Sequence, residues 1–160
     1  MASVGDKVPS ATLRYLSPEG PKAITTGELF APGKKVVAFA LPGAFTPTCS
    51  AKHVPGYVTN YDALKAKGVD TIACISVNDA FVMGAWAKEQ GSGDKVMMLG
   101  DGNCEFTEAM GLTLDASRNG LGKRSQRYAM VVEDGTIKAL HVEKPGAFEV
   151  SAAESVLKGL

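Results

Sequence analysis

The sequence predicts an α/β fold in which helices flank a mixed β-sheet. Short apolar runs rich in valine and isoleucine alternate with segments that carry helix-start signals, as expected for strands joined through helices. Near the C-terminus, Asp134-Gly135 lies between two apolar segments and is a strong signal for a tight β-hairpin turn. A hairpin adds antiparallel strands to the sheet. With 160 residues, the chain is most simply one domain, 1–160.

The predicted strands are mostly apolar and β-branched and are bounded by turn-forming or charged residues. The first two flank the turn Ser17–Pro21 and form an N-terminal hairpin extension. The seven segments are Ala11–Leu16, Lys22–Thr25, Lys35–Leu41, Val69–Val77, Val96–Leu99, Arg127–Glu133 and Thr136–Val142.

The predicted helices begin near residues whose side chains suit a helix N-terminus. The segments are Thr26–Phe30, a helix from the turn with Cys49 to about Lys67, Asn78 or Asp79 to about Glu89, Asn103–Met110 and Ser151–Leu157. In the last of these, Ser151 at the N-cap and Glu154 at N3 predict a capping box.

The charge balance argues against a nucleic-acid or membrane-surface protein. Lys plus Arg and Asp plus Glu number 17 each, so no net charge attracts a polyanion. No apolar run approaches the ~20 residues that span a bilayer, and Met1–Asp6 lacks the features of a signal peptide. The expected location is intracellular: the cytoplasm, or a plastid or other organelle if a transit peptide was removed.

The cysteines form neither a disulfide framework nor a zinc motif. There are three, Cys49, Cys74 and Cys104, an odd number without a Cys-x-x-Cys pair. This argues against a thioredoxin-type disulfide reductase and against a zinc ribbon. It suits an intracellular protein whose thiols are free or reactive.

The most informative segment is Pro42–Ser50, which follows the apolar strand Lys35–Leu41. Thr46 suits a helix N-cap and Pro47 suits N1, so Cys49 falls at N3 in the first helical turn. Free N–H groups there stabilise a thiolate, the nucleophilic form of cysteine. The Thr46 hydroxyl can accept from the Cys49 N–H or donate to its sulfur, and the sequence leaves both open. An inert buried cysteine is the alternative interpretation.

His53 lies four residues after Cys49 and allows three interpretations. The two side chains could be half of a metal site, or a nucleophile with its base, or His53 could be a hydrogen-bonded histidine near the site. The last is favoured, because no second pair of ligands is visible and His141 is the only other histidine.

Four motifs along the chain together make it similar to the type II (atypical two-cysteine) peroxiredoxins, particularly the plant-like branch. They are Pro-Gly-Ala-Phe-Thr-Pro-Thr-Cys-Ser at Pro42–Ser50, Lys-His-Val-Pro-Gly at Lys52–Gly56, Cys-Ile-Ser-Val-Asn-Asp at Cys74–Asp79 and Arg-Tyr-Ala at Arg127–Ala129. The resemblance covers essentially the whole chain. It implies a thioredoxin fold, thiol peroxidase activity with neither a metal nor an organic cofactor, and often a homodimer.

The resemblance also implies roles for residues of the site. Cys49 would be the peroxidatic residue, Thr46 and Arg127 would hold the sulfur and the peroxide oxygens, and Pro42 would shield the site from water. A free cysteine is only about 3% thiolate at pH 7, so a nearby cation matters to this chemistry. From the residues alone, two further cations, Arg124 and Lys123, rival Arg127.

The roles of the other two cysteines stay open. In part of the family, the cysteine that matches Cys74 resolves the sulfenic acid by forming a disulfide, here with Cys49. Cys74 also lies inside an apolar strand, where free cysteine is usually a small buried hydrophobe, and a disulfide needs two Cα atoms within about 7 Å. Cys104 has no counterpart in the motifs and is expected to be incidental.

The leading functional hypothesis is reduction of hydrogen peroxide and alkyl hydroperoxides, with thioredoxin or glutaredoxin/glutathione as electron donor. One alternative is a redox sensor in which Cys49 oxidises stoichiometrically and passes the signal to a partner. Another is a cysteine hydrolase, for which His53 on the same helix is poorly placed as the base. A homodimer is expected to have its contact near Phe45 and Phe81.

Overall fold

The computed structural model describes all 160 residues and contains nine strands. They are β1 (Thr12–Ser17), β2 (Gly20–Thr25), β3 (Lys35–Leu41), β4 (Thr71–Ser76), β5 (Met97–Gly100), β6 (Thr113–Asp115), β7 (Lys123–Ser125), β8 (Tyr128–Glu133) and β9 (Thr136–Val142). Seven strands form one sheet in the order β2-β1-β5-β4-β3-β8-β9, and β6 pairs separately with β7. Within the large sheet, β3, β4 and β5 are parallel and the other pairs antiparallel, which confirms the mixed sheet and the N-terminal hairpin.

Six α-helices flank the sheet. They are α1 (Thr26–Leu29), α2 (Val54–Thr59), α3 (Tyr61–Ala66), α4 (Ala80–Gln90), α5 (Glu105–Met110) and α6 (Ala153–Lys158). A π-helical turn, Cys49–His53, precedes α2, and a 3-10 turn, Ser117–Asn119, lies between β6 and β7. None of these helices combines the length and the apolar character needed to cross a bilayer.

Strand β3 is buried on both of its faces. This is why its sequence is a continuous apolar run instead of an alternating one. Phe39 and Leu41 point to an apolar cluster that contains Cys49 and residues of α2, α3, α4 and α6. Val36 and Ala38 point to a second cluster with residues of α1 and α5. The carboxyl end of β3 is followed along the chain by the segment that contains Cys49.

The helix predicted from Cys49 to about Lys67 is divided into three parts. The π-helical turn closes with the Val54 N–H donating to the carbonyl of Cys49, five residues back. Pro55 follows, and its ring and missing N–H cannot continue an ordinary hydrogen-bond ladder. A second break at Asn60 separates α2 from α3. The prediction of one continuous helix is therefore wrong.

The capping box predicted for the last helix is also wrong. No side chain caps α6, which begins two residues after Ser151. The Ser151 hydroxyl donates to Glu143 at 2.7 Å. Glu154 accepts from Asn60 at 3.3 Å. Tertiary partners therefore compete successfully with the local cap for both side chains.

The start of α5 differs from the prediction at Asn103. Cys104 has a left-handed backbone, with φ at +60°, so the helix begins only at Glu105. The carboxylate of Asp101 accepts hydrogen bonds from the N–H groups of Phe106 and Thr107 at 3.1 and 2.8 Å. An acid four residues before the helix thus satisfies N–H groups of its first turn.

Candidate active site

Cys49 is the first residue of the π-helical turn and is only 1% exposed. Arg127, the residue before β8, donates from Nη2 to the Cys49 sulfur at 3.1 Å. The residues are far apart in sequence, and the antiparallel pairing of β3 with β8 brings their segments together. The contact is a charge-assisted hydrogen bond when the sulfur is a thiolate, so it stabilises the nucleophilic form.

His53 contacts the other terminal nitrogen of the Arg127 guanidinium. Arg127 Nη1 donates to Nδ1 of His53 at 2.8 Å, and His53 Nε2 lies 3.1 Å from the carbonyl oxygen of Ser151. Because a guanidinium can only donate, Nδ1 is the unprotonated nitrogen, and Nε2 donates to the carbonyl. Burial and, next, the charge of Arg127 lower the pKa of His53 from 6.5 to about 3. With both nitrogens bonded, His53 has none free for a metal or for a proton from Cys49.

The two rival cations have other partners. Arg124 donates from Nη1 to the carbonyl of Pro42 at 3.3 Å. Lys123 forms an ion pair with Glu108 at 2.5 Å. Of the three cations considered from the sequence, Arg127 is the one that contacts the sulfur.

The Thr46 hydroxyl makes neither of the two bonds considered from the sequence. Its Oγ1 donates to the carbonyl of Gly43 at 2.6 Å, so it closes the short turn between these residues. The main chain of Thr46 still begins the helix, because the Ser50 N–H donates to its carbonyl at 3.0 Å. Thr46 therefore lies at the expected helix start, while its side chain orders the preceding loop.

Pro42 and Arg127 line a cleft of about 330 Å³. Residues 143–147, which follow β9, also line this cleft. The cleft gives access to the guanidinium, whereas the neighbouring Cys49 is almost fully buried. A larger cavity of about 430 Å³ lies against the β1–β2 turn and α4 and contains none of these residues.

Cys74 lies in the middle of β4, opposite Phe39 of β3 and Met98 of β5. It is fully buried, and burial raises the pKa of its thiol well above the ordinary value. Cys49 and Cys74 are free thiols in the same apolar cluster. Cys49 is held in a helical turn and Cys74 in a strand.

Comparison with known proteins decides the family. The Redoxin family profile matches residues 3–157. The chain is 56% identical to Peroxiredoxin-2E, chloroplastic, of Arabidopsis thaliana over 99% of its own length and 69% of that protein. It is 45% identical to Peroxiredoxin-2B of the same plant, over 99% of its own length and 98% of that protein. The chain belongs to the type II peroxiredoxins, in their plant-like branch.

A solved structure agrees with the fold of this peroxiredoxin. The crystal structure of reduced Prx3 in complex with H₂O₂ from Vibrio vulnificus matches it with a TM-score of 0.95 at 52% identity, over 99% of each chain. The thioredoxin fold implied by the resemblance is confirmed. The protein is a thiol-dependent peroxidase, and its substrates are peroxides.

Cys104 lies away from the Cys49 site of the peroxiredoxin. It directly precedes α5, whose side chains pack into the cluster on the other face of the sheet from Cys49. Burial and, next, the charge of Asp101 raise the pKa of its thiol. Because the thiolate is the nucleophilic form, this raised pKa makes Cys104 a poor nucleophile at neutral pH.

Three residues around His53 were not found from the sequence. The Tyr57 hydroxyl donates at 2.8 Å to the same Ser151 carbonyl that His53 contacts. The ring of Phe148 packs edge-on against His53, with 5.1 Å between ring centroids. Tyr57 follows His53 by four residues, and helical spacing could have indicated it. Ser151 and Phe148 are distant from His53 in sequence, and no local pattern indicates that they contact it.

Proposed function

We propose that this peroxiredoxin reduces hydrogen peroxide and alkyl hydroperoxides with the Cys49 thiolate as nucleophile and Arg127 as the cation that holds thiolate and peroxide. The observation that carries the proposal is the 3.1 Å hydrogen bond from Arg127 Nη2 to the Cys49 sulfur. Cys49 is almost fully buried, and a charge-assisted contact to a buried atom is stronger than one in solvent.

In the proposed step, the thiolate attacks one peroxide oxygen, and the S–O bond forms as the O–O bond breaks. Sulfur loses two electrons and becomes a sulfenic acid. The other oxygen leaves as hydroxide or alkoxide and takes a proton from water. Negative charge moves from sulfur to the leaving oxygen, so donors near both positions lower the barrier. The guanidinium has five N–H donors, and the bonds to Cys49 and His53 leave others for the peroxide.

Thr46 and Pro42 are proposed to complete the peroxide site. The Thr46 hydroxyl hydrogen is used on Gly43, but its oxygen keeps lone pairs that can accept from the O–H of a peroxide. Pro42 forms part of the cleft wall beside Arg127, and its apolar ring is proposed to limit the access of water.

The sulfenic acid is proposed to be recycled by thiols of thioredoxin or of the glutaredoxin/glutathione system. A thiol condenses with the sulfenic acid, water leaves, and the disulfide is then reduced by a second thiol. Cys74 is the proposed internal thiol, since it shares an apolar cluster with Cys49. Formation of that disulfide requires local opening of the strand or the helical turn. Glutathione that enters through the cleft would not use Cys74, so it would not require strand β4 to open.

A homodimer is proposed, with its contact at an apolar patch formed by Phe45 and Phe81. These side chains are 53% and 62% exposed. Phe45 has a φ of +61°, which is uncommon for a bulky residue. Its ring lies 6.3 Å from that of Trp86 on α4, the helix that also contains Phe81. Exposed rings on neighbouring segments are typical of interaction surfaces.

A plastid location is also proposed, because the Arabidopsis relative at 56% identity is named as chloroplastic. Fractionation of source cells with an antibody against the protein tests it. Recovery from the cytosol alone would contradict it.

The substitution Cys49→Ser tests the proposed reaction. We expect peroxide consumption to be lost with thioredoxin and with glutaredoxin/glutathione, assayed side by side, because the serine hydroxyl is not ionised near pH 7. Cys104→Ser is the matched control and should turn over normally. More than a few per cent of wild-type activity in Cys49→Ser would overturn the assignment. Many turnovers per Cys49 would distinguish a peroxidase from a stoichiometric sensor.

A further inference from the structure

Glu143 is a buried acid that follows β9, is 7% exposed and forms no salt bridge. Its Oε2 instead accepts three hydrogen bonds: from the N–H of Glu149 at 2.7 Å, and from the N–H and hydroxyl of Ser151 at 2.9 and 2.7 Å. Burial acts to raise the pKa of Glu143, but these hydrogen bonds outweigh it and the pKa is lowered. The group is therefore an ionised acceptor that gathers one loop around itself.

That loop, residues 144–151, is here named the strap. Its Ser151 carbonyl accepts hydrogen bonds from His53 and Tyr57, and the ring of Phe148 packs against His53. The same ring lies 5.8 Å from the central guanidinium carbon of Arg127, within the range of a cation–π contact. The strap thus holds Arg127 directly through Phe148 and indirectly through His53.

Glu143 is joined to Arg127 on the backbone as well. The Glu143 N–H donates to the carbonyl of Arg127 at 2.9 Å. The main chain of Glu143 therefore fixes the backbone position from which the Arg127 side chain extends. Its carboxylate fixes the strap that holds the far end of that side chain. An arginine has many rotamers, so it needs such support to keep one nitrogen at the Cys49 sulfur.

We infer that Glu143 is a positioning residue for the peroxide step. The Glu143 carboxylate orders the strap, and the Ser151 carbonyl of the strap orients His53. His53 in turn holds the Arg127 guanidinium against Cys49. The inference rests on the proposed function, because it assigns Glu143 an effect that passes through Arg127. A misplacement of a reacting group by about 1 Å can cost about a hundredfold in rate.

The substitution Glu143→Gln removes the charge and keeps the size of the side chain. Glu149→Gln is the matched control, since Glu149 is an exposed acid on the same strap. Trp86, the only tryptophan, donates from Nε1 to the Ser50 hydroxyl at 3.0 Å, next to Cys49. Its fluorescence in stopped flow provides the rate of oxidation by hydrogen peroxide, measured where each variant is fully folded.

Glu143→Gln is expected to slow the peroxide step by about ten- to a hundredfold, and Glu149→Gln by less than about twofold. In an Arg127→Ala background, Glu143→Gln should cause no further slowing, because the residue acts through Arg127. A structural disturbance that does not act through Arg127 would slow both backgrounds by the same factor. Equal factors in the two backgrounds, or no slowing in either, would overturn the inference.

If Glu143→Gln does not fold, Ser151→Ala applies the same test, because it removes one of the three donors to the carboxylate. An expected loss of about three- to tenfold should again require Arg127, and a wild-type rate would overturn the inference. Failure of the proposed function has a different result. In that case Arg127→Ala itself would oxidise at the wild-type rate, whatever Glu143 does.

Discussion

The low pKa of His53 makes the stability of this peroxiredoxin depend on pH in a predictable way. In the folded protein the ring is neutral, because burial and Arg127 lower its pKa from 6.5 to about 3. In the unfolded chain it recovers its ordinary value. As the pH falls below 6.5, His53 therefore becomes protonated in the unfolded chain but stays neutral in the folded protein. The free energy of unfolding decreases until the pH reaches about 3.

The size of the effect follows from the two values. At pH 5, one and a half units below the unfolded value, protonation stabilises the unfolded chain by about 2 kcal/mol relative to pH 7.5. The folded protein gains almost nothing, because its own pKa is about two units lower still. Acids whose pKa is lowered in the folded protein, such as Glu143, contribute to the loss of stability mostly below pH 5. His53 should therefore dominate the change between pH 7.5 and pH 5.

Urea unfolding followed by Trp86 fluorescence at pH 7.5 and 5.0, under reducing conditions, measures the difference. Wild type should lose about 2 kcal/mol more than His53→Gln over this interval, because glutamine does not titrate. His141→Gln is the control and should keep the wild-type loss. If wild type and His53→Gln lose the same free energy, His53 is not the buried neutral residue inferred here.

Three further predictions concern the reaction and the assembly. Arg127→Ala should slow Cys49 oxidation by about a hundredfold or more in stopped flow, and Arg124→Ala by less than about tenfold, because only the former removes a donor from the sulfur. Cys74→Ser should lose most thioredoxin-supported turnover and keep turnover with glutaredoxin/glutathione, whose thiol does not need the strand to open. Phe81→Asp should convert a reduced dimer to monomer in light scattering at micromolar concentration, since it places a charge in the apolar patch.

The control for the two arginine variants is Arg118→Ala, because Arg118 is an exposed residue of the 3-10 turn. In this variant, Cys49 should oxidise at the wild-type rate. Equal losses for Arg127→Ala and Arg124→Ala would mean that the wrong cation is assigned. Normal turnover of Cys74→Ser with both donors would make Cys74 a core residue only. A wild-type protein that is monomeric at micromolar concentration would contradict the dimer.

Strong local signals explain where sequence reasoning succeeded. The bounds of β3 are those predicted, because a long apolar run in a strand covered on both faces has little ambiguity. Asp134 and Gly135 have φ values of +53° and +72°, as the predicted two-residue turn requires. The N-cap at Asp79 is also observed, with its carboxylate accepting from the Val82 N–H.

Competing hydrogen-bond partners, very short strands and strand pairing explain where sequence reasoning failed. The hydroxyls of Thr46 and Ser151 and the carboxylate of Glu154 suit local caps, but each has a different partner in the fold. Strands β6 and β7 have three residues each, too few for a periodic signal. The proximity of Arg127 to Cys49 depends on strand pairing, so the sequence indicated it only through the family resemblance.

The π-helical turn has a consequence for the evolution of this site. A π turn behaves as one residue inserted into an α-helix, and each residue of an α-helix turns the chain by about 100°. Deleting Ala51 would give a more regular helix, but it would rotate Cys49 by about 100° relative to α2 and away from Arg127. Length changes should therefore be selected against between Cys49 and Pro55, even where substitutions of the exposed Ala51 and Lys52 are tolerated.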